Sequence, residues 1–318
     1  MKIFFLISMV LFAKIDFAQI QKDTATSQTN IVLETATGKI FGTLCVPAVA
    51  KRKIPVVLMI SGSGPTDRNC NSTAGFTCNS FKMLADSLLQ FGIASLRYDK
   101  RGVGESKLAG GKEEDLRFED YVNDAVDFVN LLKKDNRFST VIILGHSEGS
   151  LIGMLAAQKI KVSKYISVAG PGLPLPVILK KQISAQPKEI QDMCFPIIDS
   201  LANGYSVKTV DPVLYSLFRP SLQPFIISLF KYDPALEIAK LSIPVAIIQG
   251  NTDIQVSEAD AEKLHGAYPE SEYHIIQSMS HILKDGPTDR AKNYATYNSP
   301  TMPILSAFVQ SVVTFIHK

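Results

Sequence analysis

The stretch VIILGHSEGSLIGMLAA, residues 141–157, changes period within five residues. Val141–Leu144 is a β-branched apolar run of the kind that fills a strand buried on both faces. From Leu151 onward, Leu, Met and Ala return at helical spacing. Between them lies Gly145-His146-Ser147-Glu148-Gly149, with a glycine two places to either side of a hydroxyl. A strand that becomes a helix this abruptly commits the chain to a βα unit, and such units stack into parallel sheets covered by helices.

The remaining periodicity extends that unit. Ile31–Thr35 and Lys39–Val46, parted by Gly38, predict an opening hairpin. Strands are expected at Pro55–Ile60, Ile93–Tyr98, Val141–Leu144, Tyr165–Val168, Ile243–Ile248 and Tyr273–Ile276. Helices are expected at Phe81–Phe91, Phe118–Lys134, Leu151–Lys159, Glu258–His265 and Met302–Phe315, with Asp120 and Asp124 on the polar side of the second. The fold class is therefore α/β: a mostly parallel twisted sheet with helices on both faces and an antiparallel hairpin at one edge. Residues 171–241 break the alternation with Pro-rich helical pieces and no strand signal. They are expected to form an inserted helical cap over a core made of residues 19–170 and 242–318. Such a cap would overhang the carboxyl ends of the strands, where open α/β sheets bind ligands.

Bulk properties exclude several functions. The hydrophobic fraction of 46% supports a large core, and a net charge of +3 with scattered Lys and Arg shows no nucleic-acid stripe. Residues 1–18 read as an export leader: Lys2, an apolar stretch Ile3–Ala13, and Ala18 before the expected cut. That stretch is too short to span a bilayer. An exported chain, periplasmic or extracellular, with no membrane span after removal of the leader is expected; an uncleaved anchor is the competing reading. Oligomeric state is not legible. Of the four cysteines, Cys45, Cys70, Cys78 and Cys194, none forms CxxC or zinc spacing with a histidine, so no metal site is expected. Cys45 reads as a core residue. Cys70 and Cys78 bracket a polar loop and are spaced for a disulfide, as an exported chain allows.

Strand, G-x-S-x-G and helix together form the pattern that lifts a serine clear of a sheet on a strained turn, with Ser147 as its nucleophile. A glycine-rich βα turn made only for tight packing is the plainer alternative. A serine needs a base, and elimination leaves one of the five histidines. His146 belongs to the turn and should point away from the hydroxyl; His265 falls in a helix, His274 in a strand and His317 at the terminus. His281, in QSMSHILK, follows a strand in a loop. Asp253, in PVAIIQGNTDIQV, sits in a turn directly after a buried strand. The order Ser147, Asp253, His281 is the one this architecture requires. Two backbone N–H groups must then meet the developing oxyanion: Glu148, which follows the serine, and Ser63, in the loop ISGSGPTDR. Neither GSGPTD nor GVGES completes a nucleotide-binding glycine motif.

Taken together, ISGSGPTDR, LRYDKRGVGES, ILGHSEGS, IIQGNTD and MSHILK resemble the α/β-hydrolase superfamily, and within it serine esterases and aminopeptidase-like hydrolases with an inserted cap. The resemblance implies Ser147 as nucleophile, His281 as base, Asp253 as the acid that orients it, and Ser63 and Glu148 as backbone donors. It implies no cofactor and a small-molecule ester as substrate. Ser61 stands where many members carry histidine. Glu148 is an uncommon charge beside a nucleophile, available to Arg68, to Arg101 or to a substrate. Asp99 and Arg101 read as members of a structural network. The apolar cap segments suit an uncharged acyl or alcohol group, or simply bury the cap. Amide or peptide cleavage, and a slow-turnover binding protein on the same fold, are the other functions open to such a chain.

Overall fold

The computed structural model of the protein describes residues 26–48, 52–73 and 75–318. The expected leader lies outside them. Eight strands are described: β1 (Thr26–Thr35), β2 (Gly38–Pro47), β3 (Ile54–Ile60), β4 (Ala94–Tyr98), β5 (Phe138–His146), β6 (Lys164–Val168), β7 (Val245–Gly250) and β8 (Glu272–Ile276). They form one sheet in the order β1-β2-β4-β3-β5-β6-β7-β8. The β1–β2 and β2–β4 pairs are antiparallel, and every pair from β4 onward is parallel.

The strand periodicity of two explains the layers. Val56, Leu58, Ile60 and Ile143 face one apolar cluster, while Val57, Met59, Ile142 and Leu144 face a second on the opposite side. The first cluster is covered by helices α2 (Phe118–Lys134) and α3 (Glu148–Lys159), the second by α1 (Ser80–Gln90) and the C-terminal helix at Ser306–His317. That last helix begins later than its apolar period suggests, because Ile304 pairs with Lys284 in an antiparallel bridge and the Leu305 N–H donates to the Leu283 carbonyl at 3.0 Å.

Helix α2 also corrects an expectation. Asp124 is 1% exposed and accepts two hydrogen bonds of 2.6 Å from the Arg101 guanidinium. The carboxylate lies inside because a fixed cation meets it there. Burial raises its pKa to about 6, against the opposing pull of Arg101.

Between β6 and β7 come α4 (Leu175–Ile183), α5 (Lys188–Ala202), α6 (Tyr215–Phe218), α7 (Gln223–Phe230) and α8 (Pro234–Ile238). Their apolar residues, among them Ile198, Leu201, Phe218 and Phe230, close on one another as a third cluster. The run Pro212–Phe230 is long and apolar enough to cross a membrane. Here it is divided into short helical pieces, with Phe218 and Leu229 buried. The insertion sits on α2, where Phe225 meets Phe118 and Tyr121 at ring-centroid distances of 6.1 and 5.4 Å. After β7 follow α9 (Glu258–Ala267), α10 (Arg290–Ala295), which the sequence pattern does not announce, and α11 (Ser306–His317).

Candidate active site

The chain leaves β3 for β4 on one side and then crosses back to β5 on the other, so β3 and β5 flank the point where strand order reverses. Crevices at such points are where open α/β sheets bind ligands. Ile60 pairs with Gly145 in register, which sets the loop after β3 beside the turn after β5.

That turn is sharply strained. Ser147 has φ 55 and ψ −125, a conformation that costs a non-glycine residue ~1–3 kcal/mol. The surroundings hold it: the Ser147 N–H donates to the Val168 carbonyl at 3.0 Å. The flanking glycines answer to close approach. A Cβ on Gly145 would lie 2.1 Å from the Gly149 carbonyl oxygen, and one on Gly149 would lie 2.3 Å from that of Ile60. No side chain fits either place. Helix α3 starts at Glu148, so the positive end of its dipole faces the serine.

Asp253 lies in the turn after β7 and His281 in the loop after β8. The His281 Nδ1–H donates to Asp253 Oδ2 at 2.7 Å, with both side chains buried. The other carboxylate oxygen accepts the Gln255 and Val256 N–H groups at 2.8 and 3.0 Å. Burial pushes the Asp253 pKa up, but His281 and these hydrogen bonds outweigh it, and the carboxyl stays below its ordinary value. Asp253 is therefore a fixed anion. The Gln249 amide reaches the same oxygen as His281, at 3.3 Å.

His146 supports the loop that carries His281. Its Nε2–H donates to the His281 carbonyl at 2.8 Å, and the two rings stand 4.7 Å apart. Burial, reinforced by His281, lowers the His146 pKa to about 3, so the ring is neutral.

The loop after β3 comes within contact of Ser147. A Cβ on Gly62 would sit 3.0 Å from Ser147 Cβ. The loop is tied internally by Thr66, whose N–H and hydroxyl donate to the Gly64 and Ser63 carbonyls at 2.8 and 2.9 Å. Ser63, Ser147 and His281 all border one cavity of about 260 Å³. Its apolar wall includes Phe76 and Tyr297, whose rings meet edge to face at 5.9 Å. Among the described residues, none from 171–241 lines it.

A sequence model of the family described as serine aminopeptidase, S33, matches residues 74–212. Esterase EstD of Thermotoga maritima is 29% identical over 222 residues, covering 65% of this chain and 48% of its own. The chain thus spans about half the length of the curated relative it matches. Est1E of Butyrivibrio proteoclasticus, solved with ferulic acid bound, superimposes with a TM-score of 0.59 at 17% identity, over 91% of this chain and 100% of that one. The enol-lactonase of Burkholderia xenovorans LB400 gives 0.56 at 17% identity, with the same coverage. The chain has the α/β-hydrolase fold.

Within this fold the charged residues around the turn at Ser147 find partners that differ from those expected. Glu148 pairs with Lys100 at 3.0 Å, not with Arg68 or Arg101. Arg68 is taken by Asp99, which accepts its backbone N–H at 2.8 Å and its guanidinium at 2.7 Å, and by Glu105. Asp99 also accepts the Glu105 N–H at 3.0 Å, so it does act in a network that holds the loop after β4. Cys70 and Cys78 are free thiols, not a disulfide. Both are buried in the core beneath α1, and Cys78 Sγ faces the Cys70 carbonyl oxygen at 2.8 Å. The Asn71 side chain closes this loop by accepting the Cys78 and Asn79 N–H groups at 3.0 and 2.9 Å. Hydrogen bonds do the work assigned to a bridge. Sequence reasoning missed Lys100, Gln249 and the support role of His146. Lys100 stands in the charged run RYDKRG, where nothing local marks it for burial.

Proposed function

We propose that the protein is a serine hydrolase that cleaves carboxylic esters of small to medium size through an acyl-enzyme on Ser147. The observation that carries this reading is the buried 2.7 Å Asp253–His281 pair, placed across one cavity from a serine held at φ 55. With Nδ1 engaged by Asp253, His281 offers Nε2 to the serine. His281 takes the Ser147 proton as Oγ attacks the ester carbonyl. The Ser63 and Glu148 N–H groups meet the tetrahedral oxyanion. The alcohol leaves with the proton from His281, and the acyl group stays on Ser147. Water then repeats the steps, its proton passing through His281, and the acid is released. Asp253 holds the imidazole tautomer and stabilises the imidazolium.

Amide or peptide cleavage uses the same groups, and the serine aminopeptidase match favours it. An aminopeptidase, however, needs a carboxylate to receive the substrate's free amine. No Asp or Glu lines the cavity among the described residues, and Glu148 is occupied by Lys100. That supports an uncharged ester. The leader pattern in residues 1–18 supports export, to a periplasmic or extracellular site.

Rapid-mixing kinetics test the reading. A p-nitrophenyl ester should give a burst of nitrophenol followed by steady turnover, while an aminoacyl p-nitroanilide is cleaved far more slowly. Faster cleavage of the anilide would favour the peptidase, and ligand binding with neither burst nor turnover a binding protein.

A further inference from the structure

Lys100 is 1% exposed and carries no role in the steps above. Its ammonium donates to the Gly62 carbonyl, donates to Glu148 Oε1 at 3.0 Å, and lies 5.1 Å from the centroid of the Tyr121 ring. The two residues it grips are the ones on which the oxyanion donors depend. In a trans peptide the carbonyl and the following N–H point in opposite directions. Drawing the Gly62 carbonyl toward Lys100 therefore turns the Ser63 N–H the other way, and Ser63 borders the cavity shared with Ser147. That N–H has no acceptor among the described residues. The Glu148 N–H, at the first position of α3, has no intrahelical acceptor either.

We propose that Lys100 is a positioning residue of the oxyanion hole: one buried ammonium, bonded to the Gly62 carbonyl and the Glu148 carboxylate, aims the Ser63 and Glu148 N–H groups at the same point. This rests on the serine-hydrolase reading. Accepting a charged hydrogen bond at the carbonyl also polarises the Gly62–Ser63 peptide and makes its N–H a stronger donor. Glu148 balances the charge, which accounts for a carboxylate so near a nucleophile. Stability alone explains the arrangement poorly, because an apolar side chain of similar volume commonly replaces a buried ion pair at no loss. It does not replace direction.

The test is Lys100→Met, with fluorophosphonate labelling of Ser147 in the unaltered protein as the reference. On p-nitrophenyl acetate, kcat should fall ~10²–10³-fold, the loss expected when one oxyanion donor is misplaced, with KM little changed. The decisive readout is the ratio of rates on an aryl ester and on its thionoester. Sulfur uses the N–H pair poorly, so the thionoester rate should barely move and the ratio should collapse by the same factor. Glu148→Gln, which leaves the Gly62 contact, should lower the ratio less. If the methionine variant does not fold, Lys100→Gln gives the same reading, with a collapsed ratio again supporting the role. A folded variant whose ester and thionoester rates fall together, or do not fall, overturns the role of Lys100. Absence of labelling in the unaltered protein overturns the hydrolase reading instead.

Discussion

Two segments leave the carboxyl ends of parallel strands. The loop between β3 and α1 is short and polar; the insertion between β6 and β7 is long and helical. The short one reaches Ser147 and supplies much of the cavity wall, while the long one supplies none of it among the described residues. The loop is held by directional bonds: Asp67 accepts the Asn69 and Asn71 N–H groups at 2.7 and 2.9 Å, and Asn71 and Asp99 continue the chain of contacts. The insertion is held by its own apolar cluster and by aromatic packing on α2, with a few polar ties at its foot, among them Arg219 to Glu113 and the Phe118 N–H to Ser228 Oγ at 2.8 Å. Burial fixes how much surface meets, and hydrogen bonds fix which way a group points. Chemistry needs the second, so it sits with the loop at the strand-order switch.

The largest effect is expected at the turn beside the loop. Ser147→Ala should reduce ester turnover by ~10⁴-fold or more while circular dichroism and thermal midpoint stay close to those of the parent. A retained rate would move the chemistry elsewhere. Next, His281→Ala and Asp253→Asn should each cost ~10²–10⁴-fold in kcat with far smaller changes in substrate binding. His274→Ala, in β8, should leave kcat unaltered; an equal loss there would show that the base was misassigned.

A paired substitution sharpens the division of labour. Phe76→Ala, in the loop, should shift preference among p-nitrophenyl esters of increasing acyl length by ~10–200-fold in kcat/KM. Phe225→Ala, in the insertion, should lower stability by ~2–4 kcal/mol in urea unfolding and leave that preference unchanged. The reverse pattern would make the insertion the specificity element.

A further effect concerns acid. The His146 ring, with a pKa of about 3, stays neutral in the folded protein, while in the unfolded chain it takes a proton below about pH 6.5. Protons therefore favour the unfolded chain. The stability contributed by this group is complete above about pH 6.5 and is lost as pH falls toward about 3. His146→Asn should flatten that part of the plot of thermal midpoint against pH. An acid limb as steep as the parent's would show that His146 does not carry it.

Much of the fold was legible because both of its periods were. β3, α2 and β7 lie within a few residues of their apolar runs, and Ser147, Asp253 and His281 could be placed by the elements before them. Pairings were not legible. Asp124 has the spacing of a polar-face residue, and only tertiary structure brings Arg101 to it. Cys70 and Cys78 have disulfide spacing, but the direction of each side chain depends on local backbone, and Cys70 has φ 66. Lys100 gives no local signal, since its partners come from the loop after β3 and from α3, distant in sequence. Periodicity reports which face is buried; it does not report which charges meet there.

The central claim is that Ser147 is the nucleophile, activated by His281 and Asp253. Covalent labelling tests it most directly. A fluorophosphonate should modify the protein once, and peptide mapping should place the adduct on Ser147. His281→Ala should slow the labelling by orders of magnitude. An adduct on Ser63, Ser280 or any other serine, or labelling at an undiminished rate without His281, would contradict the account.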